Sequence, residues 1–158
     1  MRMSLFAASL IALALGACTP PAGDGGQQLA QAPAGAPASC ETPAVPIALG
    51  ASVSDQITAA AGYPENARYF CFQAPEGGAS VTVTLSGMST DLDLYVGSNT
   101  LASVQGVDIS AGQNYEWKSN AFGTDAERIV IEAPRAGVYY AEIVSFQGEA
   151  SPYTFSVQ

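Results

Sequence analysis

Apolar and polar residues alternate with period two over much of the chain. Val81, Val83 and Leu85 share one side of a stretch whose other side is Thr82, Thr84 and Ser86. Beyond Gly87, Leu92, Leu94 and Val96 oppose Asp91, Asp93 and Tyr95. Such alternation predicts two strands with one face on a core and the other in water. The same pattern predicts strands over Ser52 to Thr58, with Val53 and Ile57 inward, and over Arg68 to Gln73, where Phe70 and Phe72 oppose Cys71. It continues through Glu127 to Glu132 with Ile129 and Ile131 inward, and through the longest run, Val138 to Ser145. In the last strand Tyr153, Phe155 and Val157 face the core. Val45 to Leu49, interrupted by Pro46, suits an edge strand, and Asn114 to Ser119 carries Tyr115, Trp117 and Lys118. Leu101 to Ile109 is irregular or weakly extended. Gly, Pro, Asn and Asp clusters punctuate these runs, among them Gly62 to Asn66 and Asn120 to Asp125. No stretch after the first 17 residues keeps a helical period. Short strands at regular spacing predict an all-β fold, an antiparallel β-sandwich.

The start of the chain reads differently. Arg2 precedes an apolar run, Leu5 to Leu15, too short to cross a bilayer and suited to a signal-peptide core. Leu15-Gly16-Ala17-Cys18 then resembles a bacterial lipobox. That likeness implies cleavage before Cys18, a diacylglyceryl thioether on its sulfur and an N-acyl chain such as palmitate. Two or more acyl chains anchor stably where one does not. Thr19, in place of Asp, favours the outer membrane by the same likeness, on a face the sequence leaves open. Thr19 to Ser39, rich in Pro, Gly, Ala and Gln, is a tether reaching about 25 Å as a coil. The expected organisation is a signal peptide over 1–17, a lipidated cysteine and tether over 18–39, and a folded domain over 40–158.

Composition narrows the chemistry. The 158 residues suffice for one good domain. Five Lys and Arg against fourteen Asp and Glu leave a net charge of −9, so a nucleic-acid partner is not expected. There is no histidine, which removes Ser-His-Asp and Cys-His nucleophiles and His-ligated zinc. Export to an oxidising compartment makes Cys40 and Cys71 the expected disulfide, pinning the start of the domain to the Arg68–Gln73 strand.

With the segments in place, their order resembles the bacterial pre-peptidase C-terminal (PPC) domain. The resemblance rests on Tyr69-Phe70-Cys71-Phe72-Gln73-Ala74-Pro75-Glu76-Gly77, Val81-Thr82-Val83-Thr84-Leu85-Ser86-Gly87, Asp91-Leu92-Asp93-Leu94-Tyr95-Val96 and Pro134-Arg135-Ala136-Gly137-Val138-Tyr139-Tyr140. It covers about Val45 to Gln158 and implies a jelly-roll-like sandwich, usually appended to secreted peptidases and similar to the collagen-binding domains of bacterial collagenases. Tyr115-Glu116-Trp117-Lys118 stands where many members have Tyr-Asp-Cys-Arg, and Arg128 where the partner cysteine follows Glu. The resemblance therefore implies that Trp117 faces Arg128 in place of a cross-strand bridge, a cation–π pair worth about 0.5–1 kcal/mol.

Two groups of residues are candidate sites. Asp91 and Asp93 are the candidate metal ligands, for calcium, with Glu65, Asn66 or Asp55 added if loops converge. The structural alternative has them accepting hydrogen bonds from loop amides. As neighbouring exposed acids they give no reason for a raised pKa, so a paired-carboxylate glycosidase is not supported. Tyr95, Tyr115, Trp117, Lys118 and Arg128, with Phe122, form the candidate ligand surface, set against aromatics that merely cover the core. The expectation is a non-catalytic envelope lipoprotein binding an extracellular or periplasmic polypeptide or glycan. The alternative is a structural, chaperone-like assembly partner that recognises another protein through an exposed edge strand.

Overall fold

The computed structural model describes residues 35–60, 65–77, 79–101 and 114–158. Cys18 and its apolar leader, the turn at Tyr63-Pro64 and the stretch from Ala102 to Ile109 lie outside the described residues. The period-two segments become strands, and no helix occurs among the described residues. In chain order they are β1 (Val45–Pro46), β2 (Ser52–Ile57), β3 (Ala67–Ala74), β4 (Val81–Ser86) and β5 (Asp93–Ser98). They continue with β6 (Trp117–Ser119), β7 (Glu127–Ile131), β8 (Gly137–Val144) and β9 (Ser151–Val157). One sheet runs β1-β3-β8-β5-β6 and the other β2-β9-β4-β7, a two-layer β-sandwich. All pairings are antiparallel except β1 with β3, where Val45 lies beside Phe70 and Pro46 beside Cys71.

The predicted inward positions meet between the sheets. Phe70 and Phe72 from β3, Leu94 and Val96 from β5, and Ala141 and Ile143 from β8 face Val83 and Leu85 of β4, Ile129 and Ile131 of β7, and Phe155 of β9. Phe70 stacks on Phe155 with centroids 4.6 Å apart, tying the two layers together. Removing each such side chain from water stabilises the fold by about 1.5–3 kcal/mol. Gly87, at φ 71°, takes the left-handed turn that ends β4, which a side chain would resist.

The outer faces differ. On the four-stranded sheet Thr82, Thr84 and Ser86 are half-exposed, as the alternation predicts. On the five-stranded sheet the expected water-facing side is not wet. Tyr69, Tyr95 and Tyr140 are 5% exposed and Glu142 is fully buried. The Tyr69 hydroxyl donates to Glu142 Oε1 at 2.9 Å, and the Glu41 amide donates to the Tyr140 hydroxyl at 3.2 Å. Cys40 and Cys71 form the expected disulfide, with Cα atoms 6.3 Å apart, and Ala44 and Cys40 pack over Tyr140. The segment before β1 thus lies across the outside of β3 and β8, covering part of a face that alternation alone assigns to solvent.

Candidate functional site

Three chain segments meet where β5 begins and where β6 and β8 end. Asp91 and Asp93 open β5, Asn120 and Phe122 belong to the turn after β6, and Phe146 and Gln147 to the turn after β8. Together with Tyr95 they line a hollow of about 450 Å³ on the outer side of the five-stranded sheet.

Carboxylates hold the turn that carries Phe122. Glu127 starts β7 in phase with Ile129 and Ile131, so it points inward and is 1% exposed. One of its oxygens accepts from the Ser119 hydroxyl and the other from the Ala121 amide at 3.0 Å. On the other side of Phe122, the Gly123 amide donates to Asp91 Oδ1 at 3.0 Å. Gly123 has φ 107°, a bend that only glycine takes without strain. Both amides flanking Phe122 are therefore fixed, and its ring stands 96% exposed. Phe146 is 51% exposed and meets Tyr95 edge-on at 6.3 Å. Its turn is closed by the Glu149 amide donating to Ser145 Oγ at 3.1 Å.

Between these rings the electrostatics are acidic. Burial pushes Asp93 from an ordinary 3.8 up to about 6, and repulsion from Asp91 and Glu127 adds to it. The Tyr95 hydroxyl, 3.4 Å from Asp93 Oδ2, and the Lys118 ammonium act the other way. Burial first, then Asp93, raises the Tyr95 phenol, which stays protonated and donates. The expectation that neighbouring acids here have no raised pKa is corrected, because Asp93 is half-buried and lies near Asp91 and Glu127.

The predicted site residues fall into several places. Asp91 accepts from a loop amide, the structural alternative set out above, whereas Asp93 bonds to a tyrosine. Asn66 is buried with its Nδ2 donating to the Ser145 carbonyl, and Asp55 lies on β2 in the other sheet, accepting from Tyr153. Among the described residues no three acidic or cysteine side chains gather as a metal ion would require. Tyr95 and Tyr115 pack together at 5.0 Å, and Lys118 lies opposite Tyr95 across β5 and β6. Trp117 instead turns to the core side and packs on Tyr139 at 5.9 Å. Arg128 is on the outer face of the other sheet, opposite Thr84, with Nη2 3.4 Å from Thr82 Oγ1. Trp117 and Arg128 therefore do not stack: the pairing partner of Trp117 is Val96, across β5. The ligand surface inferred from sequence divides among three faces. Glu127, Asn120, Phe146 and Gln147 enter the site unpredicted. Glu127 alone left a signal, a carboxylate in register with two core isoleucines.

A family model described as the bacterial pre-peptidase C-terminal domain matches residues 66–145. Among solved structures, the chain is similar to the pre-peptidase C-terminal domain of collagenase from Bacillus anthracis. That likeness has 13% identity and a TM-score of 0.52, covering 71% of this chain and 91% of the other. PliG of Aeromonas hydrophila, a periplasmic inhibitor of g-type lysozyme, is 16% identical at a TM-score of 0.43, covering 68% of this chain and 85% of its own. No curated protein matches the chain.

Proposed function

The chain belongs to the bacterial pre-peptidase C-terminal domain family, and from that premise we propose that it is a non-catalytic binding module held at the bacterial envelope. Its ligand class is an extracellular or periplasmic polypeptide or glycan. The observation that carries this reading is Phe122, a large apolar ring held almost wholly in water by hydrogen bonds on both sides of it. Fixing an aromatic side chain in solvent has no folding benefit, and it pre-organises a contact surface. Lipidation at Cys18, with outer-membrane sorting, supplies the mooring in this reading. Fractionation of a Cys18→Ser variant tests it, with the protein expected to move from the membrane to the soluble fraction.

The decisive experiment is retention of the full chain on insoluble polysaccharides and on immobilised gelatin. One class should retain the protein, and Phe122→Ala should weaken retention about tenfold, the order expected for losing a central aromatic contact. Retention on neither, or retention untouched by that substitution, refutes the reading. Hydrolysis of either polymer that disappears in Asp93→Asn would replace binding with catalysis.

One observation favours the alternative of a structural partner. A largely apolar hollow of about 320 Å³ opens between the edges of the two sheets, lined by Val45, Val53, Phe70 and Arg68 among others. There β1 covers only two residues of β3, which suits an added strand.

A further inference from the structure

We propose that the hollow rimmed by Phe122 and Phe146 captures a lysine or arginine side chain of a polypeptide partner. The inference rests on the binding-module reading and narrows its ligand from polypeptide or glycan to a basic polypeptide segment.

Three properties of the hollow select this occupant. The first is its sign. Asp91, Asp93 and Glu127 bear on it and Lys118 is the cation opposing them among the described residues. Glu127 is occupied at both oxygens by Ser119 and Ala121. Asp91 and Asp93 each accept a single bond from the described residues, through one oxygen, which leaves the other oxygen of each for an incoming donor.

The second property is the donor and acceptor balance. The carboxylates can only accept when ionised, and the Tyr95 hydroxyl already donates to Asp93. A sugar hydroxyl must both donate and accept, and among the side chains lining the hollow the Asn120 and Gln147 amides are the donors not already turned to a carboxylate. Ammonium and guanidinium groups are all donor, and they match a wall of acceptors. Carboxylate or phosphate ligands would be repelled.

The third is the rim. Phe122 at 96% and Phe146 at 51% exposure line the same hollow as the carboxylates and leave their rings open to an incoming group. Aromatic faces attract cations and also cover the methylene stem of a long basic side chain. Apolar rings around paired acids make a poor seat for a hydrated metal ion and a good one for an amphipathic cation.

Calorimetric titration of the full chain tests the proposal with three probes: an octapeptide alternating lysine and glycine, its norleucine counterpart, and a neutral chito-oligosaccharide. The lysine peptide should bind at least about tenfold more tightly than the norleucine peptide, as expected when a desolvated charge pair is removed. Phe122→Ala and Asp91→Asn should each weaken it by about five- to tenfold. Phe122 is exposed and asparagine still accepts from Gly123, so both variants keep the fold. Affinity should rise between pH 5 and 7.5 as Asp93 ionises beside Asp91, Glu127, Lys118 and Tyr95. Equal affinity for the two peptides, or lysine-peptide binding indifferent to Phe122→Ala, overturns the proposal. If only the oligosaccharide binds, and Phe122→Ala abolishes that binding, this inference fails while the binding-module reading stands. If no probe binds, this inference fails, and retention on polysaccharide or gelatin decides the binding-module reading.

Discussion

Thr82, Thr84 and Thr154 stand half in water on the four-stranded sheet, and the Ser54 and Thr154 hydroxyls share a hydrogen bond at 3.0 Å. The corresponding positions of the five-stranded sheet hold Cys71, Tyr69, Tyr140, Glu142 and Tyr95, all buried. The first sheet is stabilised from one side. Water satisfies its outer hydroxyls, and replacing them changes little. The second is also covered on its outer side over β3 and β8, so the polar atoms buried there need partners from the protein. The difference teaches where outer-face chemistry can reside in this fold: Asp93, raised and bonded to Tyr95, stands on the outer side of the more covered sheet, whereas Tyr153, the shifted group of the other sheet, points into the core.

The comparison can be broken at its staple. Cys40–Cys71 closes a span of 31 residues onto the five-stranded sheet. Replacing both cysteines by alanine should cost about 3–4 kcal/mol on the chain-entropy account, read as a lower midpoint in urea. A loss below about 1 kcal/mol would mean the outer cover holds without it.

Matched substitutions on the two outer faces sharpen the contrast. Glu142→Ala removes the acceptor of the Tyr69 hydroxyl in a dry setting and should cost about 2–3 kcal/mol. Thr84→Ala, at a half-exposed position, should stay within about 0.5 kcal/mol. Similar values for the two would erase the distinction.

The smallest effect is the most specific. Because the folded state raises Asp93 to about 6, its neutral form favours folding below its ordinary 3.8, and that contribution is lost as pH rises through about 6. Asp93→Asn should therefore stabilise the protein at pH 7.5, by about 1 kcal/mol once the solvent exposure of the group is discounted. Near pH 4 the gain should vanish. Urea melts of both proteins at the two pH values check the sign.

Much of the fold was legible in the residues. Val81, Val83 and Leu85 reach the core, Phe70 and Phe72 oppose Cys71, and Tyr153, Phe155 and Val157 close the last strand, because a period of two leaves one choice of face. The cover on the second sheet was not legible. Tyr95 and Tyr140 are amphipathic, and parity says which way they point without saying what lies on top. The site was less legible still. Asp91, Asp93 and Phe122 are candidates in the sequence, but as two separate groups, and Phe146 is not among them: Phe122 and Phe146 come from turns, where no period connects sequence to position. The family resemblance sets Trp117 against Arg128 in place of a cysteine pair, whereas their strands sit in different sheets.

The bond between Cys40 and Cys71 also decides how the molecule would bear a pull. Tension arriving from the N-terminal side crosses at Cys40 directly into the middle of β3, which is hydrogen-bonded along its length to β8. β1 and β2 lie inside the bypassed loop and carry none of that load. A two-residue strand that would peel first in an unstapled chain is thereby taken out of the line of force.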